Sequence, residues 1–467
     1  MRVVAPLDVA WLYLESSRTP MHVGCVQIFS RPRGAGPDFI REVLAQLRDL
    51  QRLASPFNLK PGSLPLVGVA PVWVEERQPD MLHHVRHRAL PRPAGDAELN
   101  DVVAELLSEA MDPTRPLWEC HLLEGLRRGR FALVIKMHHA LVDGVGGMRL
   151  LQAALSTDAH ERGMLAPWAP HPHPHAPARP AHAHEDTGEV HGGLRHVLDL
   201  ALEQLRSQRG LLRGVSAMGG AVAGRSRGLA APYRAPKTQF NGRISPHRQF
   251  STLQLPLKVL RTLAHRAEVT LNDVMLEICA SALRAELERE GALPDGPLVA
   301  GVPVSLRPEG DGSVGTAVSF LMASLATHLP DPLQRLAHIH ASTDAAKRHL
   351  QQMHRLALTE YTLVLMAPFI LELLTGLGGR GHPVFNLVVS NVPGPSKRLY
   401  FNGARMDAMY PTSILTHGQA LNITALSYAG QLNIGVTACR EALPSVQRLT
   451  AAMQAGFEAL VEALPAP

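Results

Sequence analysis

Two spacings of apolar residues recur along the first third of the chain. HVGCVQIFS (22–30) reads as a strand, and RFALVIKM (130–137) is a strongly apolar run that stops where two histidines begin. DFIREVLAQLRDL (38–50) instead places its apolar residues at helical spacing, and MRLLQAALS (148–156) resumes that rhythm. The intervening HHALVDGVGG is therefore a strand-to-helix connection.

The pattern breaks after residue 156. WAPHPHPHAPARPAHAHEDTGEVH is built from Pro, His and Ala, a composition that cannot form a packed core. A glycine-broken helical rhythm follows over 192–230. A second patterned region opens with RQFSTLQLPLKVLRTLAHRAEVTLNDVMLEICASALRAEL, a strand and two helical segments. It continues through LVAGVPVSLRP (298–308) and closes on NLVVSNVPGP and ALNITALSYAGQLNIGVTA, which read as strands. The expected organisation is an N-terminal domain over 1–156, a connection over 157–245 that is flexible first and helical later, and a C-terminal domain over 246–467. A length of 467 residues agrees with two cores.

Composition narrows the classes. With 46% hydrophobic and 19% charged residues the chain is globular, and 4% aromatics argue against a base-stacking nucleic-acid binder. A net charge of +5 suits acidic partners such as a phosphorylated carrier or an anionic lipid surface. Cys25, Cys120, Cys279 and Cys439 lie far apart in apolar surroundings, which predicts buried free thiols and a reducing cytoplasm. The N-terminus lacks the features of a signal peptide. YTLVLMAPFILELLTGLGG (361–379) is the most membrane-like run, but Pro368 and Glu372 interrupt it, so it reads as a buried or interfacial helix of a soluble, peripherally associated protein.

A neutral imidazole can take a hydroxyl proton and return it to a leaving group. In HHALVDGVGG the strand end fixes the ring, Gly144, Gly146 and Gly147 allow a tight turn with space for a ligand, and Asp143 either orients a ring or pins the loop. A pair of histidines satisfied by local hydrogen bonds fits the spacing equally well. Metal readings are poorer. His83, His84 and His87 have helix-compatible spacing but no carboxylate at a ligand-like position, and the proline-rich histidine tract offers no preorganised geometry. No GxSxG elbow, phosphate loop or dinucleotide fingerprint is present.

HHALVDG resembles the HHxxxDG signature of the bacterial wax ester synthase/acyl-CoA:diacylglycerol acyltransferase family. That family sits within the coenzyme A-dependent acyltransferases, beside chloramphenicol acetyltransferase and condensation domains. PLDVAWLYLES, RPLWECHLLEGL (115–126), TLNDVMLEICASALR (270–284), VPVSLRPEGDGSVGT (302–316) and SNVPGP (390–395) follow in the family's order. The resemblance implies an α/β fold of two chloramphenicol-acetyltransferase-like sandwich domains with the active-site tunnel between them. It implies an O-acyltransferase that moves a long-chain acyl group from acyl-CoA to a fatty alcohol or diacylglycerol, with no acyl-enzyme, metal or other cofactor.

By the same resemblance His139 is the general base and His138 supports it. Asp143 braces the loop through an ion pair, for which Arg307 is the partner suggested by motif position. Asn272 and Asp273 match the ND motif. The Asn272 amide is then an oxyanion donor, an effect worth about 2.7–4 kcal/mol in comparable sites, or else the cap of a helix beginning at Asp273. Trp118 of the PLW motif (Pro116, Leu117, Trp118) packs the tunnel wall. Ser390 and Asn391, ending a strand before a proline-bounded turn, line the tunnel or shape the turn. The apolar stretch 357–374, with Leu363 and Leu365, lines the acyl or alcohol channel, touches a membrane or lipid-inclusion surface, or is core. A non-catalytic lipid-binding protein of the same fold is the alternative, against which the intact HHxxxDG and ND motifs speak.

Overall fold

The computed structural model describes residues 2–4, 6–62, 71–170, 234–305, 318–351 and 366–464. In chain order the first strands are β1 (Arg2–Val3), β2 (His22–Ser30), β3 (Leu59–Pro61), β4 (Val72–Glu75), β5 (Val85–Ala94), β6 (Trp118–Leu126) and β7 (Arg130–His138). The later ones are β8 (Arg248–Pro256), β9 (Val299–Ser305), β10 (Val318–Ser324), β11 (Leu387–Val392), β12 (Tyr400–Phe401), β13 (Ala404–Thr412), β14 (Leu421–Tyr428) and β15 (Gln431–Cys439). Helices α1 (Pro6–Leu14), α2 (Phe39–Arg48), α3 (Met81–His84), α4 (Asp96–Ser108) and α5 (Gly144–Ala153) belong to the first half. Helices α6 (Leu257–Arg266), α7 (Leu271–Arg289), α8 (Pro332–Gln351) and α9 (Val446–Ala463) belong to the second.

The described residues fall into two compact units. The first holds residues up to 170 together with 394–414. Its main sheet has the order β12-β13-β2-β7-β6-β5, with only the β5–β6 pair parallel. β7 lies near the middle, and eight of its nine residues are buried, which explains an apolar run with little alternation. β2 and β7 approach closely at Gly24, where a Cβ would lie 1.9 Å from the Ile135 carbonyl oxygen. A side chain there would force the two strands apart.

Two boundaries differ from the expectation. β12 and β13, placed by sequence in the C-terminal domain, pair into the first unit, with β13 antiparallel to β2 from Arg405–Ser30 to Thr412–Gly24. Residues 157–170, read as the start of a flexible connection, are packed. Trp168 is fully buried, stacks on Trp118 at 4.6 Å and donates its indole N–H to the Leu47 carbonyl at 3.0 Å. One large aromatic anchors a segment whose average composition looks unstructured. The histidine-proline tract beyond it lies outside the described residues. Trp168→Phe, which keeps a ring but leaves that buried carbonyl short of a donor, should cost about 1–3 kcal/mol in urea unfolding.

The second unit carries the sheet β10-β9-β11-β14-β15-β8, parallel at β9–β11 and β11–β14 and otherwise antiparallel. Residues of α6, α7, α8 and α9 share one core cluster with its strands. Each unit is thus a helix-and-sheet structure built on a six-stranded main sheet, the first also carrying the small sheet β1-β4-β3, as the α/β reading requires. The four cysteines are buried and free.

Candidate active site

The main chain around the histidine pair is pinned on both sides. The His138 N–H donates to the Leu117 carbonyl at 2.9 Å, and the His139 N–H to the Met21 carbonyl at 2.8 Å. The chain then folds back, with Leu141 and Val142 both donating to the His138 carbonyl. Asp143 is the N-cap of α5, and its Oδ1 accepts from the Gly146 N–H at 2.6 Å. Gly147 lets the turn pack closely, since a Cβ there would lie 2.8 Å from the Met137 methyl carbon and would make that side chain shift. Gly144 has open space around its Cα, so nothing in the fold itself would oppose a side chain there.

The two imidazoles have different surroundings. His138 is fully buried, and its Nδ1 accepts from the Ala140 N–H at 3.1 Å. That bond leaves the ring proton of neutral His138 on Nε2, which lies 3.3 Å from Glu15 Oε2. His139 is half-buried, and its ring lies 4.4 Å from that of Trp11, tilted by 36°. Desolvation pushes His139 down to about 4, with the negative charge of Asp143 acting against the fall and His138 adding to it. At neutral pH His139 is therefore an uncharged base beside a carboxylate.

Asp143 makes no ion pair among the described residues; it acts by capping α5, and Arg307 lies outside them. Its charge has another neighbour. Asp8 on α1 is pushed up to about 6, first by burial and then by Asp143. The folded Asp8 titrates near 6 and the unfolded carboxyl near 4, so the fold loses stability as pH rises through that window. Asp8→Asn should accordingly raise stability at pH 7 by up to about 3 kcal/mol and by little at pH 4, read from thermal melts at both pH values.

Asp8, Trp11 and Glu15 escaped the sequence reading. They sit more than 120 positions from the histidines, and the signal that could have found them is their i, i+3, i+7 spacing within PLDVAWLYLES.

Other expected site residues are placed as follows. Trp118 is fully buried, stacked between Trp168 and His84 at 4.6 and 4.5 Å, and its indole N–H donates to the Phe57 carbonyl. It is core and offers no surface to a ligand, which corrects its assignment to a tunnel wall. The 82–90 histidines are divided between α3 and β5. His84 bonds the Trp118 carbonyl, His83 contacts Arg86, and His87 contacts Glu124. Among the described residues no group of three or more His, Cys, Asp or Glu is placed to hold a metal.

In the second unit Thr270, not Asn272, caps α7, and Asp273 closes the capping box. The buried Asp273 carboxylate also accepts from Thr343 at 2.7 Å and meets His340 Nδ1 at 2.9 Å. It is a brace for α7 and α8, which corrects its placement among catalytic groups. Asn272 is half-buried, and no described residue hydrogen-bonds its amide. Ser390 and Asn391 lie within β11, opposite Thr424 and Ala425, before the strand ends at Val392. Leu363 and Leu365 lie outside the described residues. The following stretch, 366–374, is helical with every side chain half-buried or exposed; Met366 and Phe369 pack against the buried cluster of Val299, Met322, Val384 and Phe385, while Leu371 faces outward.

Comparison with known proteins gives the same picture from a separate direction. Residues 4–275 match the wax ester synthase/diacylglycerol acyltransferase catalytic domain, and 314–461 match the WS/DGAT C-terminal domain. A Mycobacterium tuberculosis protein named as a diacylglycerol O-acyltransferase is 39% identical, covering 99% of this chain and 100% of its own. The O-acyltransferase WSD of Acinetobacter baylyi is 37% identical, over 96% of this chain and 94% of that protein. Among solved structures, the wax ester synthase/diacylglycerol acyltransferase of Marinobacter aquaeolei superposes with a TM-score of 0.80 at 35% identity, covering 99% of this chain and all of that one.

Proposed function

Because the chain belongs to the wax ester synthase/diacylglycerol acyltransferase family, we propose that it transfers a long-chain acyl group from acyl-CoA to the hydroxyl of a fatty alcohol or diacylglycerol, with His139 as the general base. The observation that carries the proposal is the state of that ring. It is half-buried at a strand end, uncharged at neutral pH and next to the Asp143 charge.

In the proposed step the His139 lone pair takes the hydroxyl proton as the oxygen attacks the thioester carbonyl. The tetrahedral intermediate collapses by breaking the carbon–sulfur bond, and the imidazolium returns its proton to the departing coenzyme A thiolate. Asp143 favours the imidazolium while it exists. No acyl-enzyme, metal or prosthetic group is needed for this sequence.

We further propose that the hydroxyl substrate is met at a membrane or lipid-inclusion surface. Leu371 and Leu377 at and just beyond the 366–374 helix are 50% and 48% exposed, and no helix among the described residues is long and apolar enough to cross a membrane. The test is coenzyme A release from palmitoyl-CoA with hexadecanol or dipalmitoylglycerol, with and without EDTA. Release dependent on the hydroxyl substrate and indifferent to chelator is expected. Binding of either lipid without release would make the protein a non-catalytic lipid binder.

A further inference from the structure

One face of α1 meets the histidine pair at two points and places a third residue within the field of the loop carboxylate. Asp8, Trp11 and Glu15 are spaced three and four residues apart, so they lie along one side of the helix and its first following residue. Asp8 feels the charge of Asp143, the Trp11 ring lies 4.4 Å from the His139 ring at a 36° tilt, and Glu15 Oε2 lies 3.3 Å from His138 Nε2. The apolar residues of α1 join a shared cluster. Val9 is buried with Val4, Trp73, Met111, Leu117 and Ala140, and Trp11, Leu12 and Tyr13 pack against that cluster. The helix is thereby packed against β4 through Trp73 and against the turn after the histidines through Ala140.

The polar contacts are specific to the site. His138 Nε2 is buried and hydrogen-bonds no described residue, the Glu15 carboxylate being its charged neighbour, while Glu15 Oε1 accepts from the Met21 N–H at 3.4 Å. Met21 in turn holds the His139 N–H through its carbonyl at 2.8 Å. One carboxylate thus contacts the ring of the first histidine and the peptide that positions the second. Trp11 covers one face of the His139 ring, which removes water from it and limits its rotation.

We propose that the Trp11–Glu15 face of α1 is a positioning element for the catalytic base, with Glu15 fixing His138 and the Met21 peptide, and Trp11 orienting and shielding the His139 ring. The role rests on the acyl-transfer reading for its kinetic consequence, but its geometric part can be read without turnover.

The experiment compares wild type, Trp11→Ala, Trp11→Phe and Glu15→Gln in two assays on the full chain. The first is site-resolved carbethoxylation of the tryptic peptide spanning 137–149, which carries both histidines and separates them by fragment mass. The second is steady-state thiol release. In Trp11→Ala, His139 should react several-fold faster with His138 still protected, and Trp11→Phe should restore slow modification. General loosening would raise both histidines together and would overturn the proposal, as would unchanged rates at both.

In turnover, Trp11→Ala should lose about tenfold in kcat with the KM for palmitoyl-CoA nearly unchanged, and Glu15→Gln a comparable amount. Should Trp11→Ala not fold, Glu15→Gln decides alone: a full wild-type kcat, or a loss confined to KM, overturns the role. Wild type that shows the His139 protection pattern but releases no thiol would sink the acyl-transfer reading and leave the positioning geometry standing.

Discussion

His139→Ala is expected to abolish nearly all thiol release, by about 10³-fold, while the melting temperature and palmitoyl-CoA binding stay close to wild type. The ring is half-buried but no described residue hydrogen-bonds it, so its removal leaves no buried partner unsatisfied. The polypeptide around it is held by main-chain bonds to Leu117 and Met21 that alanine preserves. His138→Ala should behave differently. It empties a fully buried site and strips Glu15 of its contact, so stability and activity fall together. Full activity in His139→Ala beside a well-folded but dead His138→Ala would transfer the base role to the first histidine. Above about pH 5 the wild-type rate should not follow the protonation of His139, because a ring held near 4 is already unprotonated there.

Lys136→Met is expected to destabilise the first unit by about 3–5 kcal/mol. The Lys136 ammonium is fully buried, donates to the Leu106 and Glu109 carbonyls at 2.7 and 3.0 Å, and lies 3.7 Å from Glu119 Oε2. Burial works against both charges and lowers the ammonium. Burial also pushes the Glu119 carboxyl up, but the hydrogen bond from His121 and the charges of Lys136 and Arg86 outweigh it and bring the group down to about 2. Folding therefore gains from Glu119 above the unfolded carboxyl's titration near pH 4.5 and loses that gain as pH falls toward 2.

Methionine would fill most of the volume but abandon two carbonyls at the end of α4 and a buried carboxylate. Adding Glu119→Gln should recover part of the loss, since the cost lies in the orphaned charge. Trp11, Trp73, Trp118 and Trp168 all lie in the first unit, so tryptophan fluorescence during urea unfolding reports that unit alone. Equal losses in the single and double variants would refute this account.

The connection from β7 through the histidines into α5 was legible because it is local. An apolar run, two histidines, a capping aspartate and glycines fall within a few residues, and short-range rules read them. Asp143 illustrates the limit. Sequence placed it as a loop brace paired with Arg307; the contact the structure describes is with the Gly146 N–H three residues on, and Arg307 lies outside the described residues. The strands 22–30, 248–256 and 431–439 were readable from patterning. β13 was not, because ARMDAMYPT mixes charge and proline with its apolar residues and takes its place from β2. Trp118 and Trp168 were misread for a related reason. A tryptophan's value in a core depends on which rings come to meet it, and Phe57, His84 and the two tryptophans are brought together from four separate segments.

The pairing of β13 with β2 also sets a timetable. A ribosome adds about 5–20 residues per second, so roughly 20–75 s pass between the completion of β2 and the appearance of the strand that covers its outer edge. During that interval the Gly24–Ser30 edge is a row of unpaired main-chain groups open to any other strand. A fragment ending at residue 156 is therefore an unfinished sheet, not a domain. Cleavage after residue 393 would remove the edge of the first unit without touching any of its first 170 residues. The last sixth of the chain thus holds part of the authority over whether the histidine-bearing sheet is ever complete.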